Sequence, residues 1–270
     1  MVNYYSASPI YKSRIYMKHI VKWESIVSIA LFLLLWEIIP RVGLIKSTFL
    51  PPLSEVMVTF VQLSLSGELL KHTEVSLKRA LFGFLAAFFA GTTLGLGIGW
   101  YPAFARFADP VLQLFRQTSA FALFPVFIFV FGIGEFSKVA VISYACVWPI
   151  LLNTVNGVRT VDPYLIKCTR SMAASDWVIF RKVVIPSLIP SLATGVRLAG
   201  ASAILLLVAA EMIGASAGLG FMIIDSQNTF QPAKLYSAII TMAAIGLCTN
   251  YFFVFLEKKA TVWQEERHIA

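Results

Sequence analysis

The residues of this sequence that could do chemistry are polar side chains set inside or beside long apolar stretches. Arg116 and Gln117 begin one such stretch, Trp148 lies within another, and Glu211 lies near the end of a third. An arginine within a membrane is costly, so Arg116 is expected either to face a pathway or to extend to the headgroups. Glu211 could pair within the protein or meet water. Trp148 could help to kink its helix and line a polar route.

A second polar group lies in and before the segment RSMAASDWVIFRKVVIPSLIPS, residues 170–191. Asp162 followed by Pro163 is typical of an N-cap and the first position of a helix, so we predict a helix from Pro163 to about Ala174. Side chains four residues apart lie on one face of such a helix. The helix therefore carries an apolar stripe of Tyr164, Cys168 and Met172 beside a face of Lys167, Arg170 and Ser171.

A second short helix is predicted from Trp177 to about Val184, capped by Ser175 or Asp176, with Pro186 and Pro190 at the start of the following apolar stretch. The two helices would form a compact unit along the membrane surface. Its apolar stripe must be covered, either by the membrane domain of the same chain or by a cleft on a cytoplasmic partner.

Side chains for catalysis or metal binding are scarce. The three histidines are far apart and none lies in a clearly apolar stretch, which excludes a pair of haem ligands and disfavours a histidine-built metal site. None of the 16 glycines is followed by lysine, so this sequence contains no phosphate-binding P-loop. The three cysteines have no paired spacing. We therefore expect no active site, metal or cofactor in this chain.

Composition indicates a membrane protein. Hydrophobic residues make up 58% of the chain and charged residues only 13%, against roughly 25% charged in soluble domains. Crossing a bilayer takes about 20 apolar residues, or about 17 at the short end. Two less clean spans, about 26–45 and about 190–212, contain or adjoin charged residues. Four windows contain no charged residue at all: 80–100, 117–134, 139–158 and 235–256. The sequence thus predicts an all-α membrane protein with six transmembrane helices.

Lysine and arginine predict the orientation. They are more frequent in the N-terminal segment, around 159–189 and in the C-terminal tail than in the loops of the opposite side, which favours both termini in the cytoplasm. The expected organisation is a cytoplasmic segment 1–24, a six-helix domain 25–257 and a cytoplasmic tail 258–270. The net charge of +8 then reflects this asymmetry and attraction to anionic lipid rather than nucleic-acid binding.

Two further patterns predict local packing. A short helix at the outer interface is expected to begin near Glu55, capped by Ser54, because two prolines precede it. The second span carries glycines four residues apart, which lie on one helical face and allow another backbone to approach closely. Packing within one subunit is favoured over a dimer interface for them. These glycines are Gly91, Gly95 and Gly99.

Six motifs spread along the chain are VRTVDP, SMAASDWVIFRKVVIPSLIP, VAAEMIGASAGLGFMI, FLPPLSEV, DPVLQLFR and FGIGEFSKV. Together they resemble the permease subunits of binding-protein-dependent ABC importers, in the branch that serves nitrate, sulfonate, taurine and bicarbonate. The resemblance covers almost all of the chain. It implies a type I ABC importer permease-like fold, a location in the cell inner membrane and a small, anionic substrate.

The resemblance also implies partners and roles. Two permease copies would form the substrate pathway, ABC ATPase subunits would hold ATP and Mg²⁺, and an extracytoplasmic substrate-binding protein would deliver the substrate. Segment 159–189 would be the coupling loop, whose cytoplasmic coupling helix docks in a groove of the ATPase. The implied coupling residues are Tyr164, Lys167, Arg170, Ala173, Ala174, Asp176 and Trp177, and the implied pathway or gate residues are Arg116, Gln117, Trp148, Glu211 and Gln227.

The coupling loop departs from the family pattern, which has Glu-Ala-Ala, three residues and then glycine. Lys167 stands here in the place of the acid, and Ala173 stands in the place of the glycine. We expect a helix to absorb Ala173 readily, and we expect Lys167 to meet a differently charged groove on its ATPase. The third span also differs, with Gln117-Thr118-Ser119 where the family is often rich in proline.

An alternative from another class is a secondary carrier or channel that works without ATP. Carriers commonly show internal repeats and buried ion ligands near the membrane midplane. The two halves of this sequence show no convincing repeat, and no acid lies near the middle of a predicted span. A membrane-embedded enzyme is a more distant alternative. A carrier would transport alone, whereas a permease would require an ATPase.

Overall fold

The computed structural model describes the backbone of residues 9–265 and the side chains of 23, 24 and 26–261, and this part of the chain is helical. The predicted terminal segments 1–24 and 258–270 therefore lie partly outside the described residues. One short stretch, Phe180–Val184, is a π-helical turn. The helices are α1 (Pro9–Arg41), α2 (Leu53–Leu65), α3 (Glu68–Trp100), α4 (Pro102–Gln117), α5 (Phe124–Phe131), α6 (Glu135–Arg159), α7 (Pro163–Ser171), α8 (Asp176–Ile179), α9 (Ile185–Met212), α10 (Leu219–Asn228) and α11 (Pro232–Glu265).

Four helical runs in the described part of the chain are long and apolar enough to cross a membrane. They contain the second, fourth, fifth and sixth predicted spans, so the prediction of an all-helical membrane protein is confirmed. The apolar half of α1, from Ile26 onwards, coincides with the first predicted span, and most of its side chains are exposed. The four runs are Glu68–Trp100, Glu135–Arg159, Asp176–Met212 and Pro232–Thr261.

The third predicted span, 117–134, is not one continuous helix. Helix α4 ends at Gln117, Thr118 is extended with ψ 126°, and α5 begins only at Phe124. Pro125 explains the break, because it has no N–H for the carbonyl of Phe121 and its ring would clash with that carbonyl in a continuous helix. This region of the chain is therefore two helical pieces joined by a turn.

The fifth predicted span begins earlier than expected. The second short helix of the coupling segment and the span form one helical run from Asp176 to Met212, although the sequence predicted a boundary near Pro190. Pro186 cannot donate to the carbonyl of Lys182, and the wider π turn at Phe180–Val184 accommodates that missing hydrogen bond. The predicted coupling segment is thereby continuous with a helix long and apolar enough to cross a membrane.

Helix α2 is present as predicted, but the prediction that Ser54 caps it is wrong. The N-cap position is Pro52. The Ser54 hydroxyl instead donates to the Glu37 carboxylate at 2.9 Å and accepts from Arg41 at 3.1 Å. The Ser54 backbone N–H also donates to Glu37 at 2.9 Å. These contacts tie the end of α1 to the start of α2.

Helices α3 and α6 pack closely against each other along the glycine face. A Cβ built on Gly95 would lie 2.7 Å from Cβ of Thr154, and one on Gly99 would lie 2.7 Å from Cβ of Val158. The same hypothetical atom on Gly91 would lie 3.0 Å from the Val147 carbonyl oxygen. The prediction that this glycine face packs within one subunit is confirmed, and the two backbones approach as closely as they do because side chains are absent there.

We predict that Gly95→Ala destabilises the protein, whereas Gly97→Ala on the same helix does not. A methyl group at 95 meets Thr154 and the Leu151 carbonyl oxygen at 3.0 Å, while one at 97 meets only the movable ring of Phe104 at 3.3 Å. Overpacking of this kind lowers the free energy of unfolding by about 1–3 kcal/mol. Denaturant titration of both variants in detergent measures the difference, and equal stabilities would contradict the α3–α6 packing described above.

Candidate functional site

Glu211 lies at the centre of a buried ion network. Its side chain is fully buried, and its carboxylate accepts hydrogen bonds from Arg79 Nη1 at 2.8 Å and the Ser76 hydroxyl at 2.8 Å. The backbone N–H of Gly220 donates to the same carboxylate at 2.9 Å. A buried carboxylate is tolerated only when it is paired and hydrogen-bonded, and Glu211 has both kinds of partner.

Arg79 connects this carboxylate to a second one. It is 3% exposed, and its Nε and Nη2 atoms donate to the two oxygens of Glu135 at 2.6 Å each. Its Nη1 also donates to the Ala217 carbonyl at 2.6 Å. The planar guanidinium thus makes a bidentate pair with one acid while it contacts another. Residues of α3, α6, α9 and the α9–α10 loop are held together at this one point.

The α9–α10 loop depends on glycine at this network. Gly218 has φ +121°, and a Cβ on it would overlap the Glu211 carboxylate. Its N–H donates to Nδ1 of His72 at 3.0 Å, and the next N–H, of Leu219, donates to the Ser76 hydroxyl at 2.8 Å. The loop therefore lies directly on the ion network, with no room for a side chain at Gly218.

Of the two environments considered for Glu211, pairing within the protein is the one observed. Its role in a pathway or gate stays a prediction. Sequence reasoning missed Arg79, Ser76 and Glu135 as its companions. Arg79 directly precedes the charge-free window 80–100, and Glu135 directly follows the charge-free window 117–134. Those positions are the only sequence signal of the network.

The other predicted pathway residues lie in two separate places. Arg116 and Gln117 are exposed at the end of α4. They follow Phe115, whose carbonyl accepts the Tyr144 hydroxyl at 2.6 Å. The half-buried Trp148 ring lies 5.5 Å from Tyr144. Its Nε1 is buried without a hydrogen-bond partner.

Gln227 lies elsewhere, in a cavity beside the end of α10. It is exposed there. The cavity has a volume of about 510 Å³, and Thr48 and Tyr236 also line it. Arg116, Gln117 and Trp148 thus share one region around α4 and α6, whereas Glu211 and Gln227 are apart from it.

The predicted coupling residues form an exposed surface on α7 and α8. The Asp162 carboxylate caps α7 by accepting from the Tyr164 N–H at 2.8 Å, as predicted. Tyr164 is 75% exposed and Met172 82% exposed, and Cys168 is exposed as well. The apolar stripe is therefore not covered by the helices that the structure describes.

Charged and aromatic side chains surround that stripe. Arg170 pairs with Asp176 at 2.8 Å, which joins α7 to α8 across the turn. The Lys167 ammonium lies 5.9 Å from the centre of the Tyr164 ring. Trp177 is largely exposed and stacks on Phe180, whose ring in turn contacts Trp100 of α3 edge-to-face at 5.2 Å. The surface is thus connected to the membrane helices through aromatic rings.

Ala173 is not absorbed in a helix, contrary to the expectation from sequence. Helix α7 ends at Ser171, and Ala173 adopts the left-handed conformation with φ 57°. The Ala173 N–H donates to the Arg170 carbonyl at 3.0 Å and the Ala174 N–H to the Thr169 carbonyl at 3.4 Å, the pattern of a Schellman C-cap. Glycine is favoured at such a position because a Cβ there costs about 1–2 kcal/mol. The alanine keeps the turn at an energetic cost.

Within the part of the chain that the structure describes, no cluster of three His, Cys, Asp or Glu residues could hold a metal ion. The regions around α4 and around α7–α8 can offer hydrogen bonds and charge complementarity. The first has hydrogen-bond donors and cations, and the second is an exposed surface of basic and aromatic side chains.

Comparison with known proteins identifies the family. Residues 83–262 match the family described as binding-protein-dependent transport system inner membrane component. The protein SsuC of Bacillus subtilis, whose name assigns it to aliphatic sulfonate transport, is 36% identical over 239 residues, covering 87% of this chain and 85% of the relative. The taurine transport system permease protein TauC of Escherichia coli is 29% identical over 247 residues, covering 90% of each chain.

A solved structure supports the same fold. The inward-facing MetNI methionine ABC transporter contains a chain that matches with a TM-score of 0.61 at 18% identity. The match covers 72% of this chain and 96% of that one. At this level of identity the similarity concerns the fold alone, and it agrees with the type I importer permease fold expected from sequence.

We predict that Arg79→Gln strongly destabilises the protein, because it removes the cation that forms the salt bridge with the buried Glu211. Breaking a buried pair in this way costs about 3–5 kcal/mol. Lys78→Gln is the matched control, since the neighbouring Lys78 is exposed and pairs only with exposed Glu74 on the same helix. Thermal unfolding in detergent compares the two. The double variant Arg79→Gln/Glu211→Gln should recover part of the loss; equal effects of Arg79→Gln and Lys78→Gln would refute the network's importance.

Proposed function

Because the chain belongs to the inner membrane components of binding-protein-dependent transport systems, we propose that it forms the pathway by which a small anion is imported with energy from a separate ATPase. The best candidate for the substrate is an aliphatic sulfonate. Import requires a path through the membrane and a surface that receives movement from the ATPase. The regions around α4 and around α7–α8 are the parts of this chain that suit these two tasks.

The substrate class is supported by the relatives and by the position of Arg116. The names of two relatives refer to aliphatic sulfonates and to taurine. Sulfonates are anions, and nitrate and bicarbonate, which the family branch also serves, are anions too. Arg116 is an exposed cation beside the middle region of the bundle, where it would attract such a solute.

The single observation that carries the coupling proposal is the exposed α7–α8 surface at the start of a membrane helix. The stripe of Tyr164 and Met172 is uncovered, although exposed apolar side chains of this size favour a partner. The run from Asp176 to Met212 is continuous, so displacement of α8 is passed directly into the membrane. The exposed basic residues around the stripe suit a cleft on the ATPase that carries acidic groups.

The proposed assembly contains two copies of this chain, two ATPase subunits that bind ATP and Mg²⁺, and an extracytoplasmic binding protein. In this arrangement ATP is hydrolysed on the partner subunits. This chain lies in the inner membrane of the cell, with both of its termini in the cytoplasm. Access to the pathway alternates as the ATPases close and reopen.

Reconstitution of the complex tests this function. The tagged chain is purified from its native membrane with its associated proteins and placed in liposomes with the binding protein and labelled sulfonate. We expect a stoichiometric partner that contains a P-loop, and uptake only when ATP is enclosed with it. Purification of the chain alone, with uptake that needs no ATP, would instead establish the secondary carrier.

We predict that Lys167→Glu uncouples transport from ATP hydrolysis. The change places a negative charge against an acidic cleft, and such like-charge contacts cost several kcal/mol. ATP-driven uptake should fall by about tenfold or more while the complex still hydrolyses ATP. Lys71→Glu is the matched control, because Lys71 is also exposed but lies near the start of α3, away from the α7–α8 surface. Normal coupled uptake in Lys167→Glu would remove Lys167 from the interface.

A further inference from the structure

Helix α4 has three faces, and only one of them is covered. Successive residues turn by about 100° around a helix axis, so residues three or four apart share a face. Ala105, Ala108 and Leu112 pack against Ile98 of α3 and Leu151 of α6, together with neighbouring apolar side chains. This face attaches α4 to the bundle. The two remaining faces are exposed in the subunit.

These two exposed faces have opposite character. One is apolar and includes Phe107, Val111 and Leu114, which are all at least half exposed. The other is polar. Two positions along the chain correspond to about 200° around the axis, so Gln113 lies nearly opposite Val111 and Arg116 nearly opposite Leu114. The polar face consists of Arg106, Asp109, Gln113, Arg116 and Gln117, all exposed.

The C-terminal end of this polar face, around Arg116, lies at membrane depth. The Phe115 carbonyl accepts a hydrogen bond from Tyr144 at 2.6 Å, so this end of α4 is level with Tyr144 on α6. Helix α6 has 25 residues, or about 38 Å of length, and Tyr144 is about 14 Å from its first residue. Arg116 is therefore beside the middle third of a membrane-crossing helix. At that depth a charged side chain requires water or a partner.

The break after α4 points to water at the same place. Thr118 and Ser119 are exposed, and the chain between Gln117 and Phe124 is not helical. Non-helical backbone at membrane depth occurs where it is buried in protein or lines a water-filled cavity, because hydrocarbon cannot satisfy its hydrogen bonds. Since these residues are exposed in the subunit, a water-filled cavity or a second protein surface must adjoin them.

We propose that the polar face of α4 is a water-lined wall of the transport pathway and selects for anions, an inference that rests on the importer function proposed above. Arg106 and Arg116 are about 15 Å apart along the axis. Neither takes part in an ion pair within the described part of the chain. Asp109 is the single acid on this face. An oxyanion that passes along this wall meets two cations, Arg106 and Arg116. The side-chain amides of Gln113 and Gln117 donate hydrogen bonds to it.

The proposal assigns roles to residues on two faces of α4. Arg106 and Gln113 become specificity-determining residues beside Arg116 and Gln117, and the apolar face of Phe107, Val111 and Leu114 is assigned to lipid or protein rather than to the path. Both faces are exposed in a single subunit, so exposure alone does not distinguish them. The proposal distinguishes them by water, which contacts the polar face of α4 but not the apolar face. That difference in contact with water can be measured.

Cysteine labelling measures which face of α4 is in contact with water. Gln113→Cys and Val111→Cys are each introduced into the full chain after Cys146, Cys168 and Cys248 are replaced by serine, and native membranes are treated with an impermeant methanethiosulfonate reagent. A thiolate forms readily in water but not in apolar surroundings. The Gln113→Cys variant should therefore react about tenfold faster or more than the Val111→Cys variant. Equal rates, or a faster reaction at 111, would overturn the assignment.

The sign of the reagent tests the anion preference. The Gln113→Cys variant should react faster with the sulfonatoethyl reagent than with the trimethylammonioethyl reagent, after each rate is divided by that for a small free thiol. Adding Arg116→Gln should lower this ratio by about tenfold, since nearby charge changes the local concentration of ions by that order or more. Adding Lys71→Gln, on a distant surface, should leave the ratio unchanged. A ratio that Arg116→Gln does not alter would refute anion selection by this wall.

ATP-driven sulfonate uptake by the unmodified complex is measured separately. The expected labelling pattern without sulfonate uptake would support the wall and contradict the proposed substrate. Sulfonate uptake with equal labelling of the two cysteine variants would support import and overturn the wall.

Discussion

The buried contact between Arg79 and Glu211 is the interaction on which the arrangement of this subunit depends. Arg79 is the salt-bridge partner of Glu211, and a fully buried carboxylate that loses such a partner is strongly destabilising. Through Glu135 and the Ala217 carbonyl, the same guanidinium also fixes α6 and the loop after α9. One end of the bundle is thereby held as a unit, and relative movement of these helices is more easily accommodated at the other end.

That other end contains the predicted coupling segment. The α7–α8 surface joins α9 through a π turn, and rings of Trp177, Phe180 and Trp100 connect it to α3. Helix α3 in turn packs backbone-to-backbone against α6 at its glycines. Closely packed elements move as bodies rather than deforming. A displacement of α8 would therefore reach α3 and α6, the helices against which α4 and its proposed pathway wall pack.

Local patterns in the sequence were sufficient to predict the helical class, most spans, the Asp162 cap and the glycine-packed face. Features that depend on distant residues were not predictable in the same way. The ion network joins Arg79 to a residue 132 positions later, and no periodicity records such a pair. The left-handed turn at Ala173 was missed because alanine is typical of helices. The break before Pro125 was outweighed by an otherwise continuous apolar window.

The residues of the ion network lie far apart along the sequence, which affects the synthesis of the chain. Arg79 is synthesised 56 residues before Glu135 and 132 residues before Glu211. At about 5–20 residues per second, the second partner emerges roughly 7–26 s after the first residue. During that interval α3 carries a cation that lacks at least one of its two carboxylate partners. A chain that stops before Glu135 lacks both of the carboxylates with which Arg79 pairs in the finished subunit.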